Sequence, residues 1–397
     1  MGNFEKRIVF IWAGMKVAVG IRRTLIMTMA LLYFISLGIP VFWITTLFAA
    51  SSLIAVFMEF PTGAVADYDS RKKSLLICFF LFGVSYMGIF LASSFWLIAV
   101  FWVLAEVAWT FNTGAGGAWI VDSLKVGKKK KGVVSLVSKG FLFQKGGFIL
   151  GGFLGFLIIG INFRLIWLVG SVMYWILFLA MWKFGEERNF NPEKIPAHFL
   201  KKAFLKARES YKFIFSKKGR DNKVFMLGNI IAVISWSMFW IGVPLMFVKV
   251  LGMSAENFSG LNGAFAFVAL LVPFIVRKIS FKKKFGTYLF FVSVVSGLVM
   301  IVFSFSVGLV YAIVIMALMN IVVGVMEILA DSAGHYVSDS KIRASLGSID
   351  SINAYIANAI GIFIAGLLFA SFGVSSALAV SGFILFFSGI IYLFMRS

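Results

Sequence analysis

Polar residues are sparse along most of this chain, and where they cluster they cut it into long apolar stretches. The pattern predicts twelve apolar helices at approximately 8–36, 41–65, 74–93, 95–124, 132–160, 163–184, 223–249, 256–277, 286–306, 308–332, 344–372 and 374–395. Each is close to or longer than the roughly 20 residues that cross a hydrocarbon core. The pattern also repeats. Leu37-Gly38 returns 214 positions later as Leu251-Gly252, and Gly147-Phe148-Ile149-Leu150-Gly151-Gly152 returns at the same offset as Gly361-Ile362-Phe363-Ile364-Ala365-Gly366. Asp122-Ser123 returns as Asp331-Ser332. The expected fold is therefore an all-α membrane protein, with twelve transmembrane helices in two six-helix pseudo-symmetric bundles. The bundles span residues 1–184 and 223–397, and a polar linker at 185–222 joins them. Repeats of this kind place a substrate site at their interface near the bilayer midplane, which makes transport the first function to consider.

Composition supports the membrane reading. Of 397 residues, 61% are hydrophobic and 13% charged, more apolar surface than a soluble chain hides. The net charge of +21 suggests a nucleic-acid partner only until its distribution is read. Alternate loops are basic: Arg71-Lys72-Lys73, then Lys125 with Lys128 to Lys131, then the linker, then Arg277-Lys278 with Lys282 to Lys284. The opposite loops carry only Arg164 and Lys249. This sorting predicts a multi-pass protein of the cytoplasmic (plasma) membrane with both termini cytoplasmic, and no nucleic-acid partner. The first apolar segment is long, carries Arg22-Arg23 near its centre and lacks a small-residue cleavage site, so it does not read as a cleaved signal. The single cysteine, Cys78, excludes an intrachain disulfide.

The linker has its own pattern. Leu200, Phe204, Tyr211 and Phe215 recur at helical spacing against Lys201, Lys202, Lys206 and Arg208. An amphipathic helix on the cytoplasmic leaflet, its basic face meeting anionic lipid headgroups, is expected. In the fifth span Gly147, Gly151 and Gly155 sit four apart, a spacing that lets a neighbouring helix backbone approach closely.

The second and third spans are joined by Glu59-Phe60-Pro61-Thr62-Gly63-Ala64-Val65-Ala66-Asp67-Tyr68-Asp69-Ser70-Arg71-Lys72-Lys73. This segment resembles the signature loop of the major facilitator superfamily: glycine, three residues, aspartate, then a basic pair four residues on. Gly63, Asp67, Arg71 and Lys72 fill the matching positions. The arginine expected after the aspartate is Tyr68, and the glycine before the basic pair is Ser70. The resemblance implies a cytoplasmic gate. Asp67 would face a helix N-terminus, where the dipole favours a carboxylate, and Arg71 and Lys72 would pair with acids such as Asp122 or Asp331 at neighbouring span ends. The Glu-x-Pro-Thr-Gly entry and the stretch Thr113-Gly114-Ala115-Gly116-Gly117-Ala118-Trp119-Ile120-Val121-Asp122 are similar to drug and metabolite efflux permeases of that superfamily. Two positions depart from their pattern. Thr110 stands where an arginine is common in the fourth span, and Phe148 replaces the proline of the fifth-span antiporter motif.

Charges inside spans are costly, so each is a functional candidate. Lys16 and Arg23, seven residues apart, share nearly one face of the first helix, with Arg22 beside it. Lys145 lies near the middle of the fifth span, Glu106 near the middle of the fourth, and Glu327 in the cytoplasmic half of the tenth. The resemblance implies that the first, fourth, seventh and tenth helices line a central cavity. Bases outnumber acids at this depth, and a substrate anion would balance them; arginine suits carboxylate or phosphate because its fork holds two oxygens. An internal pair of Arg22 or Arg23 with Glu106 is the competing structural reading. At the repeat offset Arg22 and Arg23 correspond to Trp236 and Ser237, and Trp240 extends an aromatic surface that suits the apolar body of an amphipathic substrate. Glu106 and Glu327 are the candidates for carrying a coupling proton.

No enzyme is expected. His198 and His335 lie far apart, no clustered Cys or His suggests a metal, and the Gly-rich stretches lack the lysine of a phosphate-binding loop. No cofactor is expected. The resemblance implies a secondary active transporter working by alternating access, as a monomer. It would export or exchange a small amphipathic or anionic organic compound on an ion gradient, protons being the expected ion. The alternatives are organic-anion uptake or exchange without proton coupling, a lipid flippase, or a non-transporting membrane scaffold.

Overall fold

A computed structural model describes residues 3–113, 115–124, 130–187, 199–216, 219–272, 285–337 and 343–396. Twelve helical runs follow: α1 Phe4–Ser36, α2 Val41–Asp69, α3 Arg71–Leu91, α4 Phe95–Ser123, α5 Lys130–Ile159, α6 Leu165–Phe184, α7 Phe199–Ile214, α8 Arg220–Val250, α9 Ala255–Ala269, α10 Phe285–Ser304, α11 Leu309–Val337 and α12 Arg343–Tyr392. Ten of these are long and apolar enough to cross a membrane. The run α12 holds two membrane helices, separated at Gly373, whose φ of 81° no helix tolerates. Of the eighth expected span, 256–277, the described part forms α9, and residues 273–277 lie outside the described residues. Dividing α12 and including α9 gives the twelve membrane helices.

The repeat is visible in the backbone. The α1–α2 and α8–α9 connections each turn on a glycine in the left-handed region, Gly38 at φ 81° and Gly252 at φ 71°, 214 positions apart. The α3 and α4 helices begin at serine caps. Ser70 Oγ accepts from the Lys73 amide (3.0 Å) and Ser94 Oγ from the Leu97 amide (3.3 Å).

Several spans depart from regular α-helix, α8 among them with Pro244 and a π turn at Met246–Val250. In α1, Arg22–Met27 forms a π-helical turn, closed where the Thr28 amide and hydroxyl both donate to the Arg23 carbonyl. In α2, Pro61 lies inside the helix, and the Thr62 hydroxyl bonds back to the Met58 carbonyl (2.8 Å) just before a second π turn at Val65–Asp69. The fourth span, expected as one unbroken helix, is interrupted at residues 111–113. The Asn112 amide tightens onto the Trp109 carbonyl (2.9 Å), and the Phe111 carbonyl accepts instead from Ser74 Oγ of α3 (2.7 Å).

By internal contacts the chain forms two units. One holds Met1–Tyr33, Ile54–Leu200 and Ala255–Ala264; the other holds Phe34–Leu53, Lys201–Ser254 and Phe265–Ser397. Within the first, α1 crosses α5 on its glycines: a Cβ at Gly151 would lie 2.9 Å from Ile21 Cα, and Gly147 packs on the Val17 backbone. Gly152 approaches Gly263 so closely that a Cβ would meet its Cα at 2.5 Å, and Ser259 Oγ donates to the Gly152 carbonyl (3.4 Å). Within the second unit Gly366 packs directly on the Thr45 side chain. Gly152 and Gly366 are repeat equivalents, as are Thr45 and Ser259, so each unit contains its own version of one contact.

The linker helix α7 belongs to the second unit. Tyr211 donates its hydroxyl to Asn353 Oδ1 (2.9 Å), and Ile214 is buried with Met226 and Ile349. The expected apolar stripe of Leu200, Phe204, Tyr211 and Phe215 is thus used differently: Tyr211 is drawn to a polar partner, Ile214 is the buried anchor, and Phe215 is exposed. Burial raises the Tyr211 pKa; the bond with Asn353 opposes that shift and the charge of Asp350 adds to it. Leu200 and Phe204 carry side chains outside the described residues.

Candidate functional site

In α1 the neighbours Arg22 and Arg23 have opposite fates. Arg22 is buried. Its Nε donates to the Tyr86 hydroxyl of α3 (2.9 Å), and its Nη2 lies 3.5 Å from Glu106 Oε1 of α4. The guanidinium is sandwiched between the rings of Phe82 (4.9 Å) and Trp109 (4.8 Å). Side-chain exposures of 9% for Arg22 and 13% for Glu106 show that the pair is withdrawn from solvent, where an unpaired charge would be strongly destabilising. Behind it, Phe82 stacks on Tyr174 at 4.4 Å, closing an aromatic wall.

Arg23, one residue on, is exposed and makes no ion pair among the described residues. Its guanidinium sits 6.0 Å from the Phe148 ring of α5, which also receives Lys145 Nζ at 5.0 Å; Lys145 further contacts Phe141 at 5.1 Å. Two cations thus converge on one aromatic ring. Lys16 lies half-buried toward α5, its chain beside Gly140. Of the positive residues expected to act together, the structure brings Arg23 and Lys145 to one ring and assigns Arg22 to Glu106.

In the second unit Trp236 stacks on Trp240 with ring centroids 6.4 Å apart at 21°. Ser237 Oγ donates to Asn358 Oδ1 (2.7 Å), and Asn358 Nδ2 donates to Ser52 Oγ (3.0 Å). Glu327 is exposed on α11, and the side chain of Asp331 lies outside the described residues.

At the other end of the first unit, Arg71 forms an ion pair with Asp122 and donates to the Ala118 carbonyl (3.2 Å). Lys72 reaches the Trp182 carbonyl (3.3 Å), Lys73 pairs with Asp69 (2.6 Å), Asp67 is exposed, and Gly63 has no atom against its open side. Glu187 completes the arrangement: its carboxylate accepts from the Arg71 amide (2.8 Å) and the Ser70 hydroxyl (2.5 Å), a negative group at the α3 N-terminus.

Sequence reasoning missed four of these residues. Tyr86 and Trp109 give no signal beyond being aromatic in apolar spans. Glu187 sits in the linker, two residues past the end of a membrane helix and its glycine. Glu59 has a signal, an acid inside a span next to a proline, but the loop motif absorbs it. Its Oε1 lies 2.8 Å from Thr113 Oγ1, and its Oε2 is buried without a hydrogen-bond partner among the described residues. Among the described residues no group of three His, Cys, Asp or Glu side chains could hold a metal.

A family profile described as Major Facilitator Superfamily matches residues 12–349. The chain belongs to that superfamily. Solved structures of the same fold agree with the assignment. A point variant of the nucleoside transporter NupG superposes with a TM-score of 0.76 at 14% identity, covering 100% of both chains. The human organic anion transporter MFSD10 (TETRAN) gives 0.70 at 13% identity over 99% of this chain and 100% of that one. PepTSo, a transporter of the POT family, gives 0.76 at 11% identity over 99% and 98%. At these identities the likeness establishes the fold alone. Among curated protein sequences none matches. This superfamily member is a multi-pass membrane protein, and its family points to a transporter rather than an enzyme.

Proposed function

We propose that the protein exports or exchanges a small organic anion, or an amphipathic acid, across the plasma membrane by alternating access driven by protons. One observation carries the reading. Arg22 is balanced by Glu106, whereas Arg23 stays exposed at membrane depth beside Lys145 and Phe148. Exposed and without an ion pair among the described residues, the Arg23 fork is open to a carboxylate or phosphate that offers two oxygens. Trp236 and Trp240 supply a stacked aromatic face for an apolar body. Lys16 adds positive charge on the α1 side, and Glu106 acts by holding Arg22 in place.

The remaining assignments follow the superfamily pattern. Residues 1–184 and 223–397 are the two halves, with 185–222 a cytoplasmic linker near anionic headgroups. Both termini are cytoplasmic and the working unit is a monomer. Gly63, Asp67, Arg71, Lys72, Asp122 and Asp331 form the cytoplasmic gate, for which the Arg71–Asp122 pair is a first support. Glu327, exposed on α11, stands as an acid on the coupling route.

The test is thermal stabilisation of the purified protein by a panel of anionic, neutral and cationic organic compounds, beside an Arg23→Ala variant. Anions are expected to stabilise the parent and not the variant. Lipophilic cations stabilising both equally would overturn the anion reading. Accelerated lipid scrambling in vesicles, unaffected by Arg23→Ala, would replace it with a lipid mover.

A further inference from the structure

The proton inventory at Glu59 does not close if its carboxyl is ionised. Thr113 Oγ1 lies 2.8 Å from Glu59 Oε1 and 2.7 Å from the Thr110 carbonyl oxygen. A hydroxyl has one proton to donate, and both of these neighbours are acceptors when the carboxyl is ionised. One of the two short contacts would then lack a hydrogen. A protonated carboxyl resolves the conflict: Glu59 donates to Thr113 Oγ1, and Thr113 donates to Thr110. The second carboxyl oxygen, Oε2, is buried without a partner among the described residues, an environment that suits the carbonyl of a neutral acid better than a carboxylate.

Among the described residues no cation offers an alternative balance. Among the described residues no ion pair includes Glu59. On the neighbouring helices Lys73 pairs with Asp69, Arg71 pairs with Asp122, Lys72 donates to the Trp182 carbonyl, Arg22 pairs with Glu106, and Asp67 is exposed. Arg23 and Lys145 are gathered on Phe148, and Lys16 lies beside Gly140.

We propose that Glu59 is a proton-binding site of the transport cycle, and that its protonated carboxyl fixes the interruption of α4 through Thr113. This rests on the reading of the protein as a proton-driven transporter and moves the proton from Glu106 and Glu327 to α2. The link to the Arg22–Glu106 pair, next to the anion site, is short. The Asn112 and Thr113 amides both donate to the Trp109 carbonyl (2.9 and 3.3 Å), and the Trp109 ring covers Arg22. Losing the Glu59 proton removes one hydrogen from the Glu59–Thr113–Thr110 chain. Either α2 or the α4 interruption must then let go, and the residue whose carbonyl accepts from the interruption's amides is the one stacked on Arg22.

Infrared difference spectroscopy of the purified full chain, acid minus alkaline and without substrate, tests this. Beside the bands of its other acids, the parent is expected to show a protonated-carboxyl band that titrates separately from them. Glu59→Gln, whose amide still donates to Thr113 and preserves the fold, is expected to lose it, Glu106→Gln to keep it, and Thr113→Val to shift its frequency. A parent without the band, or a band that survives Glu59→Gln, overturns the proton site; a band unmoved in Thr113→Val overturns the link to α4. Because no substrate is present, the band can be lost in Glu59→Gln even where no anion stabilises the parent. In that case the proton site stands and the substrate reading falls.

Discussion

The helices α1 and α8 occupy the same place in the two repeats and are filled in opposite ways. Their surroundings share small-residue crossings: Gly151 on Ile21 in the first unit, and Gly361 against Ile234 and Ser237 in the second. On that shared frame α1 carries Arg22 and Arg23, and α8 carries Trp236 and Ser237. In α1 the buried member of the pair is neutralised by Glu106 while the exposed one meets an aromatic ring. In α8 the first is an aromatic stack and the second a hydroxyl bonded to Asn358. On one repeated frame, α1 carries charge where α8 carries apolar surface.

The contrast between the two helices is broken hardest at Arg22. Arg22→Ala leaves Glu106 buried without its cation and Tyr86 without its donor, so a loss of about 3–5 kcal/mol is expected. A thermal or denaturant melt in detergent reads it. The double variant Arg22→Met with Glu106→Leu is expected to recover most of the loss, because replacing both ions by apolar groups removes the desolvation penalty as well. A double variant no more stable than the single one would show that Arg22 contributes through its packing between Phe82 and Trp109.

The frame itself comes next. Gly152→Ala places a methyl against the Gly263 backbone, which has no side chain to move aside, and overpacking of about 1–3 kcal/mol is expected. At the repeat-equivalent Gly366 the obstacle is the Thr45 side chain. Gly366→Ala is therefore expected to be milder and partly rescued by Thr45→Ala in a double-mutant cycle. No Ser259 variant is expected to rescue Gly152→Ala to the same extent. Equal cost and equal rescue on the two sides would mean that the crossings respond alike despite their different neighbours.

Much of this frame is legible in the sequence. Span lengths and the 214-residue offset define the helices and the pairing of the halves, and the two turn glycines agree with it through matching positive φ. The glycines four apart on α5 are readable as a packing seam because their spacing matches the helical period. The fates of Arg22 and Arg23 are not readable. Adjacent residues on a helix point about 100° apart, and the π turn that begins at Arg22 shifts the register again. The α4 interruption is hidden for a related reason: Phe111-Asn112-Thr113 is too short a polar break to depress the hydropathy of its span. Glu59 is visible as an acid in a span, but only the Thr113 contact across two helices reveals its unbalanced proton count.

A smaller effect is expected at Ser237. Ser237→Ala removes one neutral hydrogen bond, worth about 0.5–1.5 kcal/mol, and leaves Asn358 with its bond to Ser52. A stability change well beyond that range would mean that the Ser237–Asn358–Ser52 chain acts as a unit.

The smallest stability effect is expected at the equivalent position of α1. Arg23→Ser installs the residue that α8 already has and removes an exposed cation with no ion-pair partner among the described residues, so stability should stay within about 0.5 kcal/mol. Binding should respond quite differently: stabilisation by organic anions should be lost, because Lys145 alone is a point charge without the two-oxygen fork. Arg23→Lys is then the sharper probe. If the site reads only charge, lysine restores anion stabilisation fully. If it reads the planar carboxylate or phosphate geometry that an arginine beside Phe148 implies, lysine restores little of it while leaving the melt of the free protein unchanged. The first result would make α1 a generic positive surface, and the second would make Arg23 the residue that selects the substrate's head.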